Sequence, residues 1–410
     1  MNTTSRRDVR LLTVSVGLSA LGDLVLAIPL ALQVRERTGS AFAVAAFFVA
    51  LFGPIAVCAP LAGRLVDAVE SRRLMLVVSI VQAVVAAGVL LDPSVAVLLG
   101  LTALLGTGVA IVAPAEFSLV PIAAGEARVG AANGNIEAAR YLGMTIGPLL
   151  GGVLAGGGML HVAALIDIAS FVVVALIAFV LDARREPPLQ RAAGDSGRAR
   201  DGVRVLVADR PLRIALTTAI CALVCLSISM TAELFFAVDV LHAGQAGYGG
   251  LLTAWTCGMV AGAVVLARRV PAEKLALVAV AGVAAQGAGL FGASLASALV
   301  AALAGFALGG LAHGVKNVVL RTLIHDRVPD ALRGRAFAAY NGARNAAELG
   351  ALGLGGVLVG ALGARTALLL SGALPLALGL SGLFLIQRSA RGVAADPINP
   401  RRSIHAHVQG

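Results

Sequence analysis

Apolar residues dominate this chain in long runs that are separated by mostly short polar segments. A helix needs about 20 predominantly apolar residues to cross the hydrocarbon core of a bilayer. The pattern therefore predicts an all-α integral membrane protein with twelve transmembrane helices. We place the spans at 11–34, 41–63, 74–91, 94–121, 129–155, 160–181, 213–240, 246–267, 274–292, 295–323, 335–361 and 365–387.

One polar segment is much longer than the others, and it divides the predicted spans six and six. It covers 182–212 and is rich in Arg, Pro, Gly and Asp. We predict an N-terminal six-helix bundle over 1–181 and a C-terminal six-helix bundle over 213–388. The segment 182–212 is then a basic linker, and 389–410 is a tail.

The composition agrees with a membrane protein and argues against other classes. Hydrophobic residues make up 59% of the chain and charged residues 13%, whereas soluble domains hold about 25% charged residues. The net charge of +10 alone could indicate nucleic-acid binding, but aromatic residues for base stacking reach only 4%. The chain has neither a phosphate-binding GxxxxGK[ST] loop nor a metal-ligand spacing. We expect no enzyme, no cofactor, no metal and no nucleic-acid partner.

The positive residues predict an orientation in the membrane. Most of the 32 Lys and Arg residues lie at the N-terminus, in the linker, in the tail and in the polar segments on the same side. Only Arg35, Arg37 and Arg365 lie in segments on the opposite side. The positive-inside rule then places both termini in the cytoplasm. We expect a multi-pass monomer in the plasma (inner) membrane, with anionic lipid headgroups as partners of the cytoplasmic arginines.

The two halves of the chain are similar to each other. The stretch "ARYLGMTIGPLLGGVL" (139–154) aligns without gaps with "ARNAAELGALGLGGVL" (343–358), so that Arg140 lies opposite Arg344. Such repeats are typical of secondary transporters, whose substrate site lies near the midplane between the repeats. The repeat therefore predicts two pseudo-symmetric bundles with a binding site between them.

The fifth predicted span carries a regular pattern of small residues. It reads Gly, eight residues, Gly, three residues, Gly-Pro, two residues, Gly-Gly, at positions Gly134, Gly143, Gly147, Pro148, Gly151 and Gly152. Three of these glycines fall on one helix face, and small residues let helices approach closely in lipid. Arg140 falls on the same stripe, so we expect it to face the bundle interior. Generic helix packing is the alternative explanation of the pattern.

Twelve spans, a basic central linker, two similar halves and this glycine pattern resemble the major facilitator superfamily over about 10–388. The glycine pattern resembles the signature of its drug–proton antiporters, and "LSALGD" and "GPLLGG" are similar to macrolide and siderophore exporters. The resemblance implies that the glycine surface packs the two halves together and limits leak. Many proton-coupled members have an arginine in the fourth helix, where this chain has Thr102.

The loop between the second and third spans, "GRLVDAVESRRLM" (63–75), resembles a second motif of the superfamily. Gly63, Asp67, Arg72 and Arg73 match that motif, whereas Ala68 stands where a basic residue is usual. The resemblance implies that Asp67 latches the two halves together on the cytoplasmic side. A positively charged loop that only sets topology is the alternative.

Ionisable residues inside the spans are candidates for transport, since a charge in the bilayer is costly. Asp23 in the first span and Glu233 in the seventh are the best placed, because a carboxyl group in a cavity of low dielectric constant can exchange protons near neutral pH. Asp167 in the sixth span is expected to lie outside the substrate path. The other proton-coupling or substrate candidates are Glu116, Glu137, Arg140, Lys316 and Arg344. A self-neutralising Glu137–Arg140 pair on one helix face is the alternative for those two residues.

These observations together predict a secondary active transporter that works by alternating access. It would export a small amphiphilic drug or metabolite, with protons as the coupling ion. An importer or facilitator of a small polar solute on the same fold remains open, as does a non-transporting membrane sensor or scaffold. Few aromatic residues fall in the spans, so the sequence does not predict an aromatic binding pocket.

Overall fold

The computed structural model describes residues 3–185 and 196–394. In these two ranges the chain forms fourteen α-helices and no strand, and short π turns extend two of the helices at Phe236–Val240 and Gly262–Leu266. The helices are α1 Thr3–Thr38, α2 Ala41–Val57, α3 Ala59–Ala68, α4 Ser71–Ala87, α5 Val95–Ala124, α6 Val129–Gly156, α7 Leu160–Val180, α8 Ser196–Ala208, α9 Arg210–Phe235, α10 Gly244–Ala261, α11 Leu275–Ser294, α12 Leu299–Arg327, α13 Asp330–Leu362 and α14 Ala364–Ala394.

The described helices account for the predicted spans, with one distinction. Ten are long and apolar enough to cross a membrane, and α2 with α3 adds an eleventh if that bent pair is one span. The remaining predicted span is α6, which is 28 residues long but is not among those eleven. Its polar residues, which include Glu137 and Arg140, lower its mean hydropathy. The all-α membrane fold is confirmed.

Two helices that meet at a bend form the second predicted span, 41–63. The chain bends by 53° between α2 and α3, and Cys58 lies between the two helices. Pro54 lies inside α2, and Pro60 lies in the first turn of α3. Proline lacks the backbone N–H that continues a helix. The two prolines therefore explain the bend.

The helices pack as two pseudo-symmetric six-helix bundles. In the first bundle, α1 packs against α6 and α7; in the second, α9 packs against α13 and α14. The two bundles meet mainly where α6 packs against α10 and where α13 packs against α2. These two contacts are equivalent under the sequence repeat, because the fifth span of each half packs against the second span of the other.

The molecule has two ends that the connections distinguish. The linker end holds the start of α1, residues 181–185 and α8. The loop end holds the short connections that follow α1, α4, α6, α9, α11 and α13. The predicted linker contains a helix, α8, and α14 extends into the predicted tail. The linker segment 186–195 and the tail segment 395–410 lie outside the described residues.

Candidate functional site

The glycine stripe of α6, defined as Gly143, Gly147 and Gly151, packs against α1 of the same bundle. A Cβ atom added at Gly143 would lie 2.5 Å from the carbonyl oxygen of Gly17, and one added at Gly147 would lie 2.8 Å from Leu24 Cβ. Side chains do not tolerate such distances, so only glycine fits. The stripe therefore sets the close approach of α1 and α6, as small residues do between membrane helices.

A neighbouring face of α6 forms the contact with the other bundle. A Cβ atom at Gly152 would lie 2.8 Å from the carbonyl oxygen of Gln245, and one at Gly249 of α10 would lie 2.3 Å from that of Pro148. The close contact of α6 with α10 thus runs through Pro148 and Gly152, whereas the glycine stripe faces α1. Gly134 faces open space. Of the six residues in the signature, Pro148 and Gly152 make the close contact with the other half, and the role in limiting leak stays a prediction.

Hydrogen bonds between described residues join the bundles from the centre to the loop end. They are Arg35 to Asp239, Gln245 Nε2 to Glu36 Oε1 at 3.1 Å, and Thr253 Oγ1 to the Thr145 carbonyl oxygen at 2.9 Å. Arg35 and Asp239 also form an ion pair. Together with the glycine contacts, these bonds close the two bundles against each other at the loop end.

A cavity of about 220 Å³ lies between the two bundles. Helices α1, α2 and α6 line it from one side, and α9 and α10 line it from the other. Its aromatic residues are Phe48, Phe52, Tyr248 and Trp255, and the rest of the lining is mainly aliphatic. The sequence did not predict this aromatic pocket, because Phe48 and Phe52 of one half meet Tyr248 and Trp255 of the other only in the folded structure. Apolar cavities with few polar groups between helix bundles are typical ligand sites.

Glu233 supplies a single carboxyl group to the described lining of this central cavity. Its side chain is buried, and Ser229 Oγ donates a hydrogen bond to Glu233 Oε1 at 2.5 Å. A buried carboxyl group is stable only when hydrogen bonds or a positive charge compensate it. Glu233 can therefore accept a hydrogen bond, or pair with a cationic group, from a ligand in the cavity.

A polar pocket of about 60 Å³ lies inside the N-terminal bundle, separate from the central cavity. Asp23 from α1, Glu116 from α5 and Arg140 from α6 all line it. Ser19 Oγ donates to Asp23 Oδ2 at 3.4 Å, and Ser15 Oγ donates to Glu116 Oε1 at 2.6 Å. Three candidates from separate spans thus share one pocket, where two acids face one arginine.

Arg140 makes further contacts on its own helix and on α5. Its Nε atom lies 3.6 Å from Glu137 Oε1, and its guanidinium carbon lies 5.2 Å from the centre of the Phe117 ring. Glu137 is the more exposed partner, with 41% of its side chain accessible. Glu137 is therefore an ion-pair partner on the same helix, and it is not among the residues that line the polar pocket.

Asp167 of α7 is a buried acid that is predicted from the sequence to lie outside the substrate path. It is 1% exposed, and its Oδ1 atom has no hydrogen-bond partner among the described residues. A Cβ atom at Gly22 would lie 2.8 Å from this oxygen. Glycine 22 directly precedes Asp23, so Asp167 packs beside the polar pocket. Its mid-span position was visible in the sequence, but its proximity to α1 was not.

The predicted latch loop contacts its own bundle in this structure. Arg185 Nη2 donates to Asp67 Oδ1 at 3.3 Å, in a largely exposed pair next to the linker. Arg72 donates to two carbonyl oxygens at the C-terminal end of α7, at 2.7 and 2.9 Å. Gly63 and Arg73 are exposed. The loop therefore ties α3 and α4 to the end of α7, and the latch between the halves stays a prediction.

The C-terminal bundle holds a basic counterpart of the polar pocket. Lys316 of α12 is 2% exposed and donates to Gln286 Oε1 at 2.8 Å. Arg344 of α13 faces the same small pocket as Lys316, and its Nη2 atom lies 4.0 Å from Glu348 Oε2. Arg344 is the repeat equivalent of Arg140. Each bundle thus places an arginine from its fifth span in an internal polar pocket.

Proton exchange and ligand binding are the chemistry that these groups can perform. No three His, Cys, Asp or Glu side chains within 3–185 and 196–394 are grouped so that they could hold a metal ion. All four cysteines are free thiols. The central cavity can bind an apolar molecule, and the polar pocket can take up and release protons.

Two six-helix bundles, a central cavity between them and buried ionisable groups beside it define a membrane transporter. The sequence profile described as the Major Facilitator Superfamily matches residues 12–350. The chain belongs to this superfamily, and the predicted resemblance is confirmed at that level. Its assignment to a drug exporter branch remains a prediction. A search of curated protein sequences finds no match.

Solved structures of membrane transporters share the fold. A bacterial homologue of the human lysosomal transporter Spinster, inward-facing and unoccupied, is 15% identical, with 95% of this chain and 98% of that chain covered and a TM-score of 0.70. A point mutant of the nucleoside transporter NupG is 13% identical, with 92% and 99% covered and a TM-score of 0.68. A POT family transporter in complex with a thioalcohol-conjugated peptide is 10% identical, with 94% and 96% covered and a TM-score of 0.69. At these identities the likeness establishes the fold.

Proposed function

We propose that this transporter exports a small amphiphilic compound across the plasma membrane in exchange for protons, with both termini in the cytoplasm. The observation that carries the proposal is the central cavity, which combines an aromatic and aliphatic lining with one carboxyl group, Glu233. Transport follows by alternating access, in which the two bundles rock around this site.

The lining of the cavity indicates the chemistry of the substrate. Phe48, Phe52 and Trp255 favour a molecule with an apolar or aromatic body, since burying apolar surface contributes about 25 cal/mol per Å². Glu233 favours one hydrogen-bond donor or protonated amine on that body. The volume of about 220 Å³ is somewhat below the roughly 300 Å³ at the lower end of ordinary ligand pockets. A compact amphiphilic compound fits these conditions better than a sugar or another polar solute.

Helix α1 connects the polar pocket to the central cavity, which supports proton coupling. Asp23 lines the pocket, and the next residue, Leu24, lines the cavity. The glycine stripe holds α1 tightly against α6, and α6 carries the contact with α10 at Pro148. Protonation of Asp23 removes a negative charge beside Arg140. A change in the position of α1 would then reach both the substrate cavity and the contact between the bundles.

The closed loop end supports a state in which the cavity faces the linker side. If the termini are cytoplasmic, this is the state that receives a substrate from the cytoplasm. Export then requires the loop end to open after the substrate binds. A proton then moves through the same protein in the opposite direction, into the cytoplasm. Transport in the opposite direction would identify an importer on the same fold, so direction is the discriminating measurement.

A compound panel followed by vesicle transport tests the proposal. Cells that express the protein should survive higher concentrations of certain amphiphilic amines than cells without it. Inverted membrane vesicles should then accumulate those compounds. Glu233→Gln should raise the concentration needed for half-maximal transport, because the amide cannot pair with a cationic group.

The matched control is Glu273→Gln, which changes an exposed glutamate in a short turn outside the cavity and should leave transport unchanged. Accumulation in right-side-out vesicles alone would contradict export. An equal effect of the two glutamine variants would contradict the assignment of Glu233 to the binding site.

A further inference from the structure

The C-terminal bundle buries a lysine for which the proposed export cycle has no use. Lys316 is 2% exposed in the middle of α12. The chain has only one other lysine, Lys274, which lies exposed in a short turn. A buried ammonium group is costly unless an anion or several hydrogen-bond acceptors compensate it. The groups around Lys316 therefore show whether its charge is compensated within the protein.

The near neighbours of Lys316 are neutral. Gln286 Oε1 accepts from Lys316 Nζ at 2.8 Å and lies 3.1 Å from His313 Nδ1. Asn317 Nδ2 lies 2.8 Å from His313 Nε2. Lys316 Nζ also lies 3.3 Å from His313 Nδ1, so this nitrogen either accepts from the ammonium group or donates to Gln286 Oε1. The imidazole and the amide orient the ammonium group but do not neutralise its charge.

The cluster has more donors than acceptors. Among the described residues no carboxylate forms an ion pair with Lys316, and the second charged group that lines its pocket is another cation, Arg344. The acid nearest to Arg344, Glu348, lies at the 4.0 Å limit of an ion pair. The Nε2 atom of Gln286 is also buried and has no hydrogen-bond partner in the described structure. One acceptor with a negative charge would complete this arrangement.

The pocket limits the size of that acceptor. Lys316, Arg344, Tyr340 and Asn317 supply its polar side, and α9 closes it with apolar side chains. Its volume of about 10 Å³ is close to what a single water molecule requires. This space excludes a sulfate or phosphate ion. One carboxylate oxygen matches it, and a halide ion, which is larger than water, requires a small shift of the Lys316 or Arg344 side chain.

We propose that this pocket binds one small monovalent anion between Lys316 and Arg344. The anion is either a free halide such as chloride or the carboxylate group of an organic acid. Arg344 also lines a second cavity, of about 200 Å³, where α2 meets α13. An organic acid could therefore place its carboxylate beside Arg344 from the space between the bundles. The site is distinct from the central cavity and from the polar pocket of the N-terminal bundle.

The only tryptophan of the chain provides the readout. The ring of Trp255 lies 5.4 Å from that of His313, centre to centre. The purified protein in nanodiscs should be titrated with sodium chloride, and separately with sodium acetate, each replacing sodium sulfate at constant ionic strength. We expect a saturable change in tryptophan emission and a matching rise in the thermal unfolding temperature. Lys316→Gln should weaken the apparent affinity by about tenfold or more, because it removes a charged hydrogen-bond donor.

Lys274→Gln is the matched control and should titrate like the unmodified protein. Arg344→Gln gives an independent test if Lys316→Gln does not fold, and it should weaken binding as well. Saturation by chloride alone would identify a halide site, and saturation by acetate alone would identify a carboxylate site. A linear response to both salts, or unchanged affinity in both pocket variants, would overturn the proposal. Since binding is measured without transport, the outcome is independent of the proposed export function.

Discussion

Replacing Gly249 with alanine should open the loop end of the molecule. The added methyl carbon would lie 2.3 Å from the carbonyl oxygen of Pro148 and 3.2 Å from the Cα atom of Gly152. These atoms belong to the α6 backbone of the other bundle, so no side-chain rotation relieves the contact. The bundles would have to separate locally by roughly 1 Å to restore ordinary van der Waals distances.

The cost of this contact falls on the closed state alone. Overpacking of a tight contact costs about 1–3 kcal/mol. Because about 1.4 kcal/mol corresponds to a factor of ten in an equilibrium constant, the ratio of open to closed molecules should rise by about 5- to 150-fold. The open state loses the contact between α6 and α10, so the alanine costs nothing there.

Thiol labelling from one side of the membrane measures this shift. Ala27 lines the central cavity, and Ala27→Cys in a variant without the four native cysteines provides one reactive thiol. A membrane-impermeant reagent applied at the loop end should label it faster when Gly249→Ala is present. Gly250→Ala is the control, since its methyl carbon would meet only Leu303 Cδ2 at 3.6 Å. Equal labelling rates in the two alanine variants would refute the reasoning.

Two further predictions concern the packing of α1. Gly147→Leu should lower the thermal unfolding temperature in detergent, because its Cβ atom would lie 2.8 Å from Leu24 Cβ. Gly134→Leu is the control and should not lower it, since Gly134 faces open space. Equal losses in the two variants would contradict the glycine stripe as a contact surface. Arg35→Gln should increase loop-end labelling only a few-fold, since partly exposed ion pairs such as the one with Asp239 contribute about 0–1 kcal/mol. If Arg35→Gln increased the labelling rate more than Gly249→Ala does, the prediction that the glycine contact matters more than the ion pair would be wrong.

The fold follows from the sequence to a large extent, because the bilayer imposes a simple rule on apolar runs. The helices match the predicted spans closely except where local chemistry intervenes. The bend at Cys58 depends on Pro54 and Pro60, which were present in the sequence but were counted within one span. Helix α8 was not predicted at all. Its polar sequence docks on α13, where Arg335 Nη1 donates to Asp201 Oδ2 at 2.9 Å, and that partner is 134 residues away.

The candidate sites were predictable as residues but not as groups. Asp23 and Glu116 were each identified as costly charges inside spans, yet nothing in the sequence placed them in one pocket. Proximity depends on how α1 and α5 pack, which is set by contacts between distant segments. Asp167 is predicted to lie outside the substrate path, yet its side-chain oxygen lies against Gly22 of α1. The aromatic side chains of the central cavity likewise come from α2 and α10, in different halves.

Uphill transport driven by a pH gradient tests the central claim, that protons drive export through the polar pocket. Proteoliposomes should hold a compound identified in the panel at equal concentrations inside and outside. When a pH difference is imposed, the protein should move the compound to one side and so build up a concentration gradient. A pH difference of one unit supplies about 1.4 kcal/mol for each proton exchanged, or roughly a tenfold concentration ratio. Asp23→Asn should abolish uphill transport but retain downhill exchange, because a neutral amide resembles the protonated carboxyl group, and Glu273→Gln should pump normally. Uphill pumping by Asp23→Asn with an unchanged pH profile would contradict the claim.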